Sequence, residues 1–220
     1  MRTFVKSFAL VTAVSMAWII GIPVRGEGTL TITAFGDSLT QGYGLEEGEG
    51  FVPQLQAWLD DQGADVRLVN AGVSGDTTAG GAARIAWTLG DPTDGLIVAL
   101  GGNDFLRGLS TQDTKANLES ILVAAETAGV PVLLVGFRAP LNYGPDYKAA
   151  FDNAYPELAE SYDVLFYPFY FEGLGVGENT AEMIEFMQPD ATHPTADGVA
   201  MIVEALGPSV LELLAVASGS

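Results

Sequence analysis

The chain predicts an α/β fold, a three-layer α/β/α sandwich around a five-stranded parallel sheet in the flavodoxin-like order 2-1-3-4-5. Three observations predict it. Short apolar runs alternate with stretches of helical period, which is the pattern of βαβ units. One run, Leu96–Leu100, is apolar throughout, as a strand covered on both faces must be. And 220 residues, 48% of them hydrophobic, suit one domain with a sizeable core.

The elements follow in order. Leu30 to Phe35 alternates apolar residues with threonine and reads as the first strand, broken by Gly36. Gly42 to Gly50 is glycine-rich and acidic, a surface loop. Phe51, Leu55, Trp58 and Leu59 recur at helical spacing until Gly63. Val66 to Val69 is a short second strand, and Asp76 or Thr77 can cap the helix that runs on to about Leu89. After the third strand, Leu118, Ile121, Leu122 and Ala125 line one helix face that Gly129 closes. Val130 to Val135 reads as the fourth strand, with Pro131 tolerable only near its start. Tyr147, Phe151, Tyr155, Leu158 and Tyr162 form another helical stripe, with Pro156 expected to kink it. Val164 to Tyr167 is the fifth strand, and Ile202 to Leu214 belongs to a long last helix that Pro208 can bend.

Residues 1–26 read as a secretory signal peptide, leaving 27–220 as the domain. Arg2 and Lys6 give a basic start, Phe8 to Val24 is almost wholly apolar, and Gly26 can end a cleavage site. A retained anchor is the rival reading, but about seventeen apolar residues lie at the bottom of the spanning range. The expected location is the periplasm or the extracellular space. Removal of Arg2, Lys6 and Arg25 from the nine basic residues leaves six against 28 acidic ones, a net charge of −22. Such a field repels nucleic acid and anionic membrane surfaces, so neither nucleic acid nor stable membrane insertion is expected. Cysteine is absent, which excludes disulfides and thiolate chemistry. There is a single histidine, His193, so any mechanism that needs an imidazole must use it.

Right-handed crossovers place the carboxyl ends of all parallel strands on one edge. Ser38, Gly72 and Asn103, which follow the first three strands, should emerge there beside one another, and His193 precedes a helix that starts from the same edge. A serine is a weak nucleophile until a base takes its proton, and His193 can be that base. Asp190, three residues earlier, can orient the ring, while Pro194 holds His193 extended. Donors for a developing oxyanion could come from the amides of Ser38 and Gly72 and the side chain of Asn103. Each residue also has an ordinary reading: Asp37-Ser38 and Asn103 as turn or cap formers, Gly72 as a turn glycine, Asp190 to His193 as a surface turn.

Taken together, Gly36-Asp37-Ser38, Gly72 within Ala71–Asp76, Gly102-Asn103-Asp104 and Asp190-x-x-His193 resemble the four blocks of the SGNH (GDSL) hydrolases. The resemblance extends from residue 29 to about 214 and is greatest to the secreted thioesterase/lysophospholipase and arylesterase branch. It implies Ser38 as nucleophile, His193 as base, Asp190 as its orienter, and an oxyanion hole of Ser38, Gly72 and Asn103. The implied activity is hydrolysis of acyl esters, thioesters or lysophospholipids by a monomer without metal or other cofactor. Phe105, Leu106, Pro140, Leu141 and Tyr143 are the apolar residues expected to receive the acyl group.

Alternatives are a carbohydrate acetylesterase on the same scaffold and a non-catalytic flavodoxin-like binding module. No Gly-x4-Gly-Lys-Ser/Thr run exists, which excludes a P-loop, and Ser38 lacks the Gly-x-Ser-x-Gly setting of an ordinary α/β-hydrolase. A lone histidine without cysteine argues against a zinc site.

Overall fold

A computed structural model describes residues 28–175 and 183–219. The expected leader at 1–26 lies outside the described residues. Five parallel strands run in the order β2-β1-β3-β4-β5: β1 Leu30–Gly36, β2 Val66–Gly72, β3 Gly95–Ala99, β4 Val132–Val135 and β5 Leu165–Tyr167. The helices are α1 Ser38–Gln41, α2 Phe51–Asp61, α3 Thr78–Thr88, α4 Gly102–Leu106, α5 Thr111–Ala128, α6 Pro145–Tyr162 and α7 Ala196–Ser218. Helices α3, α5 and α6 pack side by side as one outer layer, and α2 packs on α7 in the other.

Local chemistry explains the boundaries. Thr77 caps α3 through its side chain, which accepts from the Gly80 amide, and Gly129 ends α5 in the left-handed conformation at φ 68°. β4 starts two residues later than its apolar run predicts, because Pro131 lies just before it and has no amide to give the ladder. β2 extends three residues beyond its apolar run, to Gly72, because pairing with β1 continues to Gly36↔Gly72. Both outer layers cover the sheet, so the threonines of β1 are not a solvated face. Thr33 is only 4% exposed, and its hydroxyl donates to Thr93 Oγ1 at 2.9 Å. Helix α7 is long and apolar enough by composition to cross a membrane, but Ile202, Leu206, Val210 and Leu213 are fully buried. Its hydropathy is that of a core helix.

The register levels the strand ends that matter. Gly36 pairs with Gly72 on one side and with Ala99 on the other. The segments after β1, β2 and β3 therefore leave the sheet at one height.

Candidate active site

Ser38 opens the four-residue helix α1 instead of standing in an open turn. Asp37 caps that helix, with its carboxylate accepting from the Leu39 amide at 3.0 Å. Gly36 is needed for room and not for a left-handed backbone. A Cβ there would overlap Thr40 Oγ1 and stand 2.8 Å from the Ala99 carbonyl. Gly72 has the same reason: its Cβ would strike the Gln41 amide and lie 2.8 Å from the Asp37 carbonyl. The ends of β1, β2 and β3 can close around the Ser38 turn only without those methyl groups.

His193 arrives from the other end of the chain. Its Nε2 lies 2.7 Å from Ser38 Oγ, and its Nδ1 lies 2.7 Å from Asp190 Oδ2. The other carboxylate oxygen, Asp190 Oδ1, accepts from the amides of Thr192 at 2.9 Å and His193 at 3.0 Å. This tight loop needs Ala191 at φ 53°, an unusual backbone for a residue with a Cβ. The hydrogen bond from the His193 ring, reinforced by the two amides, lowers the Asp190 pKa to about 2. An ionised carboxylate only accepts, so the ring proton sits on Nδ1. Nε2 is then left with its lone pair toward the Ser38 hydroxyl.

The loop is tied to the Ser38 side of the cleft by Gln188. Its Nε2 donates to the Tyr43 carbonyl and to the Pro194 carbonyl, each at 2.9 Å, while its amide donates to the His193 carbonyl at 2.7 Å. Tyr43 covers the His193 ring with centroids 4.7 Å apart. Gln188 was not singled out by sequence reasoning, since nothing in a lone glutamine signals which carbonyls it will bridge.

The expected oxyanion donors stand at the same edge but differ in readiness. The Ser38 amide is the first of α1 and has no carbonyl one turn back in that helix. The Gly72 amide donates to Asn70 Oδ1 at 2.9 Å. Asn103, on α4, donates through Nδ2 to Asp37 Oδ2 at 3.2 Å and accepts at Oδ1 from Arg107 Nη2 at 3.4 Å. Asp37 is 2% exposed, and this burial raises its pKa to about 6 in spite of the bonds from Leu39 and Asn103 and the nearby His193.

Ser38, Asn103 and His193 open into a cavity of about 610 Å3. Of the residues expected to receive an acyl group, Phe105, Leu106 and Pro140 line it. Leu141 and Tyr143 are not part of the lining. They sit in a 3-10 turn that begins after Pro140, where Leu141 is 66% exposed and Tyr143 packs on Tyr147 at 5.1 Å. Sequence reasoning missed five further apolar residues of the lining: Phe137, Phe169, Phe171, Met183 and Met187. The first three follow β4 and β5 at the same edge as Ser38, and that position was the available signal. Among the described residues no group of three or more His, Cys, Asp or Glu could hold a metal ion.

A hydrogen-bonded Ser–His–Asp chain beside amide donors and an apolar cavity can move a proton off a hydroxyl and stabilise an oxyanion. Comparison with known proteins gives the family. The profile of the GDSL-like lipase/acylhydrolase family matches residues 34–201. The chain belongs to that family. It is similar to the esterase TesA of Pseudomonas aeruginosa, with 38% identity over 185 residues that cover 84% of this chain and 89% of that protein. It is also similar to thioesterase 1/protease 1/lysophospholipase L1 of Escherichia coli K12, at 33% identity over 188 residues, 85% of this chain and 86% of that protein. Among solved structures, AlinE4, an SGNH-hydrolase family esterase, aligns with a TM-score of 0.69 and 44% identity, covering 86% of this chain and 98% of that one. The protein is an SGNH/GDSL esterase that hydrolyses acyl esters.

Proposed function

We propose that hydrolysis runs through an acyl-enzyme on Ser38, with His193 as general base and Asp190 as the group that orients the ring and stabilises the imidazolium. The observation that carries this reading is the unbroken chain from Ser38 Oγ through His193 to Asp190, with both links at 2.7 Å, at the wall of the apolar cavity. His193 Nε2 takes the hydroxyl proton as Ser38 Oγ attacks the acyl carbon. The carbonyl oxygen becomes an oxyanion held by the Ser38 amide and by an N–H of Asn103. Gly72 joins them only when Asn70 releases its amide. His193 then protonates the departing alcohol or thiol, and a water activated by the same ring releases the acid.

The substrate class is an acyl ester or thioester with a medium-length chain, including lysophospholipids, handled by a monomer. The apolar lining of the cavity supports it, because each CH₂ fully buried there gains about 0.8 kcal/mol. The printed activities of the Escherichia coli relative point the same way. The leader at 1–26 would place this activity in the periplasm or outside the cell, with 27–220 as the hydrolase domain.

Fluorophosphonate labelling followed by peptide mapping tests the nucleophile, and a nitrophenyl ester series from acetate to decanoate tests the acyl group. The expected results are an adduct on Ser38 alone and kcat/KM that rises from acetate towards medium chains. An adduct on Ser74 or Ser110 would overturn the first. A preference for acetate, with acetylated sugars better than every acyl ester, would transfer the protein to the acetylesterases.

A further inference from the structure

The two ends of a carboxamide have almost the same shape and opposite chemistry. If Asn103 rotated by half a turn about its last bond, it would offer a carbonyl oxygen where the proposed reaction needs an N–H. Its neighbours prevent that. Asn103 Oδ1 accepts from Arg107 Nη2 at 3.4 Å, and Asn103 Nδ2 donates to Asp37 Oδ2 at 3.2 Å. A guanidinium has only donors and an ionised carboxylate only acceptors. Flipping the amide would set donor against donor and acceptor against acceptor at once.

Both partners are themselves anchored. Arg107 is one turn beyond Asn103, at the end of α4, and its Nη2 also donates to the Gly75 carbonyl at 2.7 Å. Asp37 is buried, and its other oxygen accepts from the Leu39 amide at 3.0 Å. Asn103 therefore spends one amide proton on Asp37 and keeps the second, in a cavity whose wall Ser38 shares. We propose that Asp37 and Arg107 are positioning residues that fix the orientation of the Asn103 amide as an oxyanion donor. They join the segments after β1, β2 and β3 in one clamp, which sets the donor relative to the adjacent nucleophile. This inference rests on the proposed role of Asn103.

The test is a kinetic double-mutant cycle on a soluble nitrophenyl ester, using Arg107→Met, Asp37→Asn and Asn103→Ala. Arg107 is exposed, so Arg107→Met leaves the core untouched. In Asp37→Asn a single oxygen must serve both Leu39 and Asn103, and the new NH₂ opposes one of them. Each clamp variant should lower kcat about 5- to 30-fold with KM within about twofold, against roughly 10²–10³ for Asn103→Ala. In the Asn103→Ala background the same two substitutions should cost nothing further, because the group they position is gone. Full losses that persist in that background, or clamp variants with wild-type kcat beside a slow Asn103→Ala, would overturn the clamp alone. A wild-type kcat for Asn103→Ala would overturn the donor role beneath it.

Discussion

Asp37→Asn should make the protein more stable at neutral pH even as it slows the enzyme. Burial holds the Asp37 carboxyl at a pKa of about 6, against an ordinary 3.8, and the residue is 2% exposed. At about 1.4 kcal/mol per pKa unit, that difference corresponds to roughly 3 kcal/mol of native stability lost when Asp37 is ionised. The sign follows from proton affinity. The native state binds this proton more tightly than the unfolded chain, so stability falls as pH rises from 3.8 through about 6. The penalty is complete above that window and absent below it. An asparagine carries no charge and, like the protonated carboxyl, keeps one carbonyl oxygen for the Leu39 and Asn103 donors. The net expectation is a gain of about 3 kcal/mol at pH 8. At pH 5, where the native carboxyl is mostly protonated, the gain should be about half as large. Urea unfolding of both proteins at pH 5 and pH 8, read as the midpoint at unchanged m-value, measures it. A variant less stable than wild type at pH 8, or a difference independent of pH, would refute the reasoning.

Three further substitutions probe His193 and the cavity. Asp190→Asn should lower kcat by about 10⁴-fold and abolish fluorophosphonate labelling. The two amides at Oδ1 hold the amide oxygen, which turns the NH₂ towards His193 Nδ1 and moves the ring proton to Nε2. More than about a hundredth of the wild-type kcat would contradict that tautomer argument. Leu106→Asp should reduce kcat/KM for octanoate relative to acetate by roughly 5- to 30-fold, because Leu106 lines the cavity. Leu141→Asp should leave that ratio within about twofold, since Leu141 faces solvent. Equal effects from the two substitutions, measured with the same nitrophenyl esters, would mean that the acyl group leaves the cavity over the 3-10 turn.

What the sequence determined by itself was the sheet, its order and the identity of the groups at its edge. Period and length separate strands from helices here because the central strands β1, β3 and β4 are largely buried on both faces, and the single histidine leaves no choice of imidazole. Parallel connections are right-handed, so Ser38, Gly72 and Asn103 were bound to share one edge. Local pattern could not decide how those groups are held. Gly36 and Gly72 read as turn glycines, and only the packed strands reveal that neighbouring backbone fills the space a Cβ would need. The Asn103 clamp joins residues 66 positions apart in sequence, and Gln188 bridges 145 positions to Tyr43, distances at which no periodicity carries information. The cavity wall shows the same limit. Phe137, Phe169 and Phe171 are as apolar as core residues and are largely buried, so hydropathy cannot tell a cavity-lining ring from a packed one. Leu141 looks like a pocket residue in sequence, yet it turns outward because Pro140 leads into a 3-10 turn and Gly144, at φ 89°, redirects the chain into α6. Composition sets which side chains are available to the site, and the direction each one faces is set by the backbone it sits on.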